Sequence, residues 1–225
     1  MIRRGRYPDF KRPLPFSPGY EIVGVIEKIG PGVQAPHEGQ MVADLCMVGG
    51  YAQYAIRPAR FLVPVPDGID PTEAVCIPLA YLTACQMLTR CRHLPPGATI
   101  LVIGASGTVG TGLLDLARHL GRKAIGTWRA FRRAFACLAS GGLLVGYGSQ
   151  TMAVGREGIV SAALGLARPK LWNTLSLLLS GRRALLYSIT ARRSIDSEEF
   201  KADMAALFKL LREGAIHPVV IERLS

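Results

Sequence analysis

The stretch "PPGATILVIGASGTVGTGLLDLARHLGRKAIGT", Pro95 to Thr127, narrows the fold more than any other part of the chain. Pro95-Pro96-Gly97 marks a turn, and Thr99 to Ile103 is an apolar run of strand length. Gly107 to Leu120 has helical periodicity with Gly121 to stop it, and Lys123 to Gly126 reads as a second strand. Within it, "GASGTVG" at Gly104 to Gly110 joins the buried strand to the helix, which is the setting that gives a glycine pattern meaning. Gly107 lets the backbone approach a pyrophosphate and Gly110 allows close helix–strand packing. The helix start offers unpaired N–H groups and a partial positive charge to phosphates. Ala105 stands where the commonest fingerprint has its first glycine, giving A-x-G-x-x-G. A tight turn with no ligand is the alternative; the full order of strand, turn, helix and strand favours dinucleotide binding.

The residue that reads the ribose of such a cofactor lies about twenty positions on, at the end of the second strand. Here that position is Thr127, with no carboxylate nearby, and Arg129, Arg132 and Arg133 follow. A missing acid beside basic groups favours a 2′-phosphate, hence NADPH over NADH. The competing reading, arginines that cover a helix surface, stands equally open, because guanidinium recognition depends on geometry.

Charge is uneven along the chain. The net charge is +11, and between Arg118 and Arg193 thirteen Lys or Arg residues face only Glu157. This suits a phosphate-bearing ligand, nucleic acid or an anionic surface, or else a solvated arginine-rich face. With 49% hydrophobic residues in 225, the chain has enough apolar side chains for a core of one compact domain or two small ones. Cys46, Cys76, Cys85, Cys91 and Cys137 show neither CxxC spacing nor an even disulfide framework, so reduced thiols are expected. The start "MIRRGRYPDF" has no signal-like apolar stretch, and "LWNTLSLLLS" at Leu171 to Ser180 is too short to span a bilayer. A soluble, cytoplasmic protein is the expectation.

Ahead of the glycine loop, from Tyr20 to about Val65, the runs "YEIVGVIEKI", "QMVADLCMV", "YAQYAIRP" and "FLVPVPDG" alternate with Gly and Pro signals. They predict short strands of a small β barrel or sandwich. In "DPTEAVCIPLAYLTACQMLTR", Asp70 is the expected N-cap, Pro71 the first helical residue and Glu73 the capping-box partner, with Pro78 splitting the helix. Beyond the loop, "GLLVGYG" and "ALLYSIT" read as strands. "IDSEEFKADMAALFKLLREG" reads as an amphipathic helix with Phe200, Met204, Leu207, Phe208 and Leu211 on one face and Gly214 at its close.

Taken together, "LPFSPGYEIVGVIEKIGPGV", "GGYAQYAIRPARFLVPVPDGIDPTEA", "YLTACQML", the glycine-loop unit and "RRALLYSITARR" resemble the zinc-independent quinone oxidoreductase branch of the medium-chain dehydrogenase/reductase family. The resemblance runs, with interruption, over nearly the whole chain. It implies an α/β fold: an incomplete GroES-like β lobe, residues 1–83 joined by 195–225, and a shortened Rossmann-type doubly wound sheet, residues 84–194, lacking central strand–helix units. It further implies hydride transfer from NADPH to a quinone or an α,β-unsaturated carbonyl. The positions matching cofactor contacts are Thr83 near the nicotinamide, Ala105, Ser106, Gly107, Thr108 and Val109 at the pyrophosphate with Gly110 behind them, and Gly146, Tyr147 and Gly148 beyond the later strand. Tyr7 of "RRGRYP" matches a tyrosine often placed near the substrate and is the candidate acid, with surface or packing roles as its alternatives.

No metal is expected. Tyr20 of "PGYE" stands where zinc-dependent relatives carry a ligand histidine, Glu21 remains, and His37, His93, His119 and His217 form no spaced cluster with Cys or Asp. Without a Lewis acid a conjugated acceptor suits better than an isolated ketone, since it takes hydride at carbon and spreads charge toward oxygen, where one donor suffices. Against the family pattern, the opening strands, the closing elements and two strand–helix units after Thr127 are missing. Weakened turnover is therefore one expectation. A non-catalytic remnant binding nucleotide, RNA or a protein partner is the alternative, with nucleic acid ranked below the quinone or enone substrate because no RNA motif or stacking platform accompanies the basic surplus. A homodimer through "ALLYSIT" is a compatible expectation.

Overall fold

A computed structural model of the chain describes residues 15–91, 94, 97–127, 138, 142–147, 183–220 and 222. The chain divides into two compact units, one of Pro15–Trp128 with Ile189–Ser225 and one of Met1–Leu14 with Arg129–Ser188.

In the first unit, β1 (Ile22–Val25), β2 (Met41–Asp44) and β3 (Val63–Pro64) form an antiparallel sheet in the order β1-β2-β3. Ile22 lies opposite Asp44 and Val42 opposite Pro64. β2 is the central strand, and its last three residues are buried, Asp44 among them. The expected strand "YAQYAIRP" is not one: Tyr51 to Pro58 carry no ladder, and Tyr51, Tyr54 and Ile56 are 78%, 76% and 101% exposed. β-branched and aromatic residues favour a pleated surface only where a neighbouring strand and a buried face receive them, and the described residues supply neither here. Its entry is nonetheless tightly held. Gly50 N donates to Gly19 O and Tyr51 N to Pro18 O. At Gly19, whose φ is +108°, a Cβ would stand 2.5 Å from Tyr51 N.

The helical segment follows its caps. Asp70 accepts from Thr72 N at 2.8 Å and Pro71 opens α1 (Pro71–Ala74). Pro78 then breaks the ladder, lacking an N–H and crowding the carbonyl four residues back. The chain answers with a π-helical turn, Ile77–Tyr81, in which Tyr81 N reaches Cys76 O at 3.2 Å, before α2 (Leu82–Thr89) resumes. β4 (Thr99–Ile103) and β5 (Lys123–Thr127) pair in parallel, Thr99 opposite Lys123 and Ile103 opposite Thr127, joined through α3 (Thr108–His119). Gly121 at φ +63° ends α3 with Arg122 N bonded back to Ala117 O, the left-handed stop its sequence predicts.

α4 (Ile189–Ile195) leads into α5 (Ser197–Arg212), which Asp196 caps by accepting from Glu199 N at 2.8 Å. The predicted apolar stripe, Phe200, Met204, Leu207, Phe208 and Leu211, is the buried face, and Asp203 is buried with it. Asp203 takes Gln86 Nε2 at 2.9 Å and Arg90 Nη2 at 2.7 Å, so α2 and α5 meet through a paired carboxylate as well as through side-chain packing. In the second unit, β6 (Leu143–Gly146) and β7 (Arg183–Leu186) pair in parallel, and Tyr187 N donates to Gly146 O at 2.8 Å. Among the described residues no helix is long and apolar enough to cross a membrane.

Candidate functional site

The loop between β4 and α3 is shaped by backbone contacts. Gly104 turns with φ +76°, and Gly107 N donates back to Gly104 O at 3.0 Å. Behind the loop, the carbonyl of Thr127 accepts from both Gly104 N at 2.7 Å and Ala105 N at 3.3 Å. Gly110 is the tightest position, since a Cβ there would lie 2.2 Å from Gly104 O and 2.7 Å from Ala105 Cα. Its glycine thus serves the packing of the first helical turn on the loop, where the sequence suggested packing of helix on strand. At Gly107 a Cβ would meet only Gly104 O, at 3.4 Å, which is ordinary contact, so space on its outer side is left open.

Ser106, Gly107 and Thr108 are exposed, Val109 is half-buried and Gly110 is buried. The N–H groups of the first turn have no acceptor within the helix, and no acidic residue stands in that turn to compete for them. The helix dipole adds partial positive charge at the same place. A bare approach, outward N–H groups and a favourable dipole fit a pyrophosphate.

Two contributions to the loop, from Gly126 and from the Thr127 carbonyl, escaped the sequence reading. Gly126 sits in β5 where a Cβ would come within 2.7 Å of Ala105 Cβ, so its bareness seats the loop against the strand. A glycine inside a strand is a recognised sign of close approach, and it was the available signal. Thr127, expected as the ribose reader, is half-buried and acts on the loop through its carbonyl. A main-chain acceptor leaves no mark in the sequence.

The other expected residues belong to other segments of the chain. Thr83 lies on α2 and is 5% exposed. Gly146 is buried at the end of β6, and burial pushes the Tyr147 hydroxyl pKa upward; both belong to the second unit. Tyr7, Arg129 and Gly148 lie outside the described residues. Among the described residues no three His, Cys, Asp or Glu side chains stand together as a metal-holding group.

Glu21, the acid beside the replaced histidine position, has a definite task. Its Oε2 accepts from Leu79 N at 3.0 Å, taking up an N–H of the π-helical turn, while burial pushes its pKa up from 4.5 to about 7. The folded chain therefore holds this proton more tightly than the unfolded chain. The stability it confers is full below 4.5 and declines as pH rises through 7. Glu21→Gln keeps an oxygen for Leu79 and removes the charge. It is expected to flatten this part of the pH dependence and to leave the chain more stable than the parent at about pH 8.5, by up to ~3 kcal/mol. Urea unfolding at acid and alkaline pH measures it; parallel pH profiles for the two proteins would remove the assignment.

Residues 1–67 match the model of the alcohol dehydrogenase GroES-like domain. The quinone oxidoreductase of Lama guanicoe is 30% identical over 247 residues, covering 97% of this chain and 74% of that protein. The chain belongs to the quinone oxidoreductase branch of the medium-chain dehydrogenase/reductase family. It unites that family's GroES-like β lobe with a Rossmann-like parallel sheet. Another member, the quinone oxidoreductase of Rattus norvegicus, is 37% identical over 127 residues, 56% of this chain but only 38% of that protein. The chain thus matches well under half of the rat relative. Among solved structures, the Escherichia coli quinone oxidoreductase complexed with NADPH superposes with a TM-score of 0.77 at 22% identity, over 97% of this chain and 77% of that one. A mycobacterial protein complexed with NADPH gives 0.72 at 23% identity. At these identities the structures share the fold with this quinone oxidoreductase relative, which is shorter than either.

Proposed function

We propose that the chain is an oxidoreductase that binds NADPH and reduces a quinone or an α,β-unsaturated carbonyl. The observation that carries this reading is the Gly104–Gly110 loop, held by the Thr127 carbonyl and closed on α3 at a position that admits no Cβ. The family relationship and the NADPH in two structural neighbours support it.

In this reading Ser106, Gly107, Thr108 and Val109 receive the pyrophosphate on backbone N–H groups, with Ala105 and Gly110 shaping the loop. Arg129, which follows β5 in the sequence, is assigned to the 2′-phosphate, Thr83 to the nicotinamide, and Gly146, Tyr147 and Gly148 to further cofactor contacts. The bound nicotinamide supplies a hydride. Tyr7 donates a proton to the acceptor oxygen, which is what a conjugated acceptor requires when no metal polarises it. Residues 1–83 with 195–225 form the β lobe of this reading and 84–194 the cofactor lobe. The protein works in the cytoplasm, as a homodimer.

Titrating the chain into NADPH and following nicotinamide fluorescence is expected to give saturable binding in the micromolar range usual for enzyme ligands. No saturation up to about 1 mM would remove the reading. A second reading, nucleotide binding without turnover, is favoured by the two strand–helix units that the resemblance finds missing after Thr127. NADPH oxidation in the presence of 1,4-benzoquinone separates the two: consumption supports the reductase, and binding with no consumption supports the remnant.

A further inference from the structure

Tyr81 joins two parts of the proposed cofactor site. It closes the π-helical turn, lies two residues before Thr83 and is 3% exposed. Its ring rests on α3 at Gly112, where a Cβ would lie 3.6 and 3.7 Å from ring carbons. Its hydroxyl donates to Asp115 Oδ2 at 2.9 Å. Asp115 is a gathering point on the helix that follows the phosphate loop. The same oxygen accepts from His217 N at 2.7 Å, and Oδ1 takes Arg118 Nη2 at 2.8 Å. On its other side the π-helical turn is held by Glu21 through Leu79 N. Burial and the Asp115 bond both raise the Tyr81 pKa, so its hydroxyl stays a donor across the working pH range.

We propose that Tyr81 is a positioning residue of the cofactor site, fixing α3 and its N-terminal phosphate loop against the helical segment that carries Thr83. This rests on the reading of Gly104–Gly110 as the NADPH loop. The geometry favours it over packing alone. A phenylalanine would fill the same space on Gly112, whereas the hydroxyl also ties the turn to α3 through the half-buried Asp115 carboxylate.

The test compares the whole chain with Tyr81→Phe for two ligands, NADPH and 2′-phospho-ADP-ribose. The second contains the pyrophosphate and 2′-phosphate groups but no nicotinamide. Tyr81→Phe is expected to weaken NADPH about tenfold and 2′-phospho-ADP-ribose less than about twofold, the loss of one part-buried hydrogen bond to a carboxylate felt only when both ends of the site are engaged. Asp115→Asn, which keeps the shape and removes the charge, is expected to show the same bias and gives a second route if Tyr81→Phe folds poorly. Equal weakening of both ligands, or none, in the folded variants would overturn the positioning role while leaving the cofactor reading intact. A parent chain that binds neither ligand would overturn the cofactor reading, and the positioning role with it.

Discussion

Asp44→Asn is expected to cost the folded chain about 3 to 5 kcal/mol, the range for breaking a buried ion pair on one side. Asp44, at the end of β2, is 1% exposed and receives two guanidiniums. Arg57 Nη2 lies 2.6 Å from Oδ2, and Arg193 Nη2 lies 2.7 Å from Oδ1. Arg193 also donates to Leu45 O and sits 4.3 Å from the centre of the Phe61 ring. Burial lowers the Arg193 pKa and Asp44 opposes that shift, so the carboxylate is what keeps this cation tolerable inside. Asparagine keeps the volume but leaves two adjacent cations with no anion between them. Because Arg193 belongs to α4, the loss also loosens that helix from the β lobe. Arg57→Met should cost less, since Arg193 still neutralises the carboxylate. Urea midpoints at constant m-value measure both. A loss below about 1 kcal/mol for Asp44→Asn would show that water already compensates the pair, as at an exposed bridge.

Gly110→Ala is expected to abolish measurable NADPH binding and to destabilise the chain by about 1 to 3 kcal/mol, the range of a forced backbone shift in a packed site. The added methyl would stand 2.2 Å from Gly104 O, 2.7 Å from Ala105 Cα and 2.9 Å from Ala105 C, all backbone atoms that no rotamer change can move aside. Gly104 itself is tied to Thr127 O, so any retreat of the loop breaks its brace on β5. Gly107→Ala provides the contrast. Gly107 has φ −82° and ψ 164°, which any residue adopts, and its Cβ finds only an ordinary contact. That variant should keep the parent's stability and still bind NADPH more weakly, because the methyl intrudes on the ligand's side. Circular dichroism melts with fluorescence titration separate the cases. A Gly110→Ala chain that binds like the parent would refute the close approach, and an unaffected Gly107→Ala would place the phosphates elsewhere.

The elements most legible in the sequence are those whose signals are local. The stripe on α5, the caps at Asp70 and Gly121 and the strand–helix–strand unit around the glycine loop each follow from periodicity and stop residues a few positions apart. What escaped depends on distant partners. Asp44 reaches Arg193 across 149 positions and Asp203 reaches Gln86 across 117, so neither acid declares itself buried from its own neighbourhood. Tyr51 to Ile56 misled in the opposite sense: the composition suits a strand, but strand formation belongs to the sheet that receives it. Within the candidate site, the glycine positions were readable, while the brace behind them was not.

That brace bears on how such a site changes over generations. The loop hangs on the carbonyl of Thr127, and every amino acid supplies a carbonyl. This bond is therefore indifferent to which side chain position 127 carries. On the proposed reading, substitutions at 127 retune which ribose is preferred while the grip on the pyrophosphate persists. Position 110 has no such freedom, and a lineage that altered it would have to rebuild the loop before it could bind any dinucleotide at all.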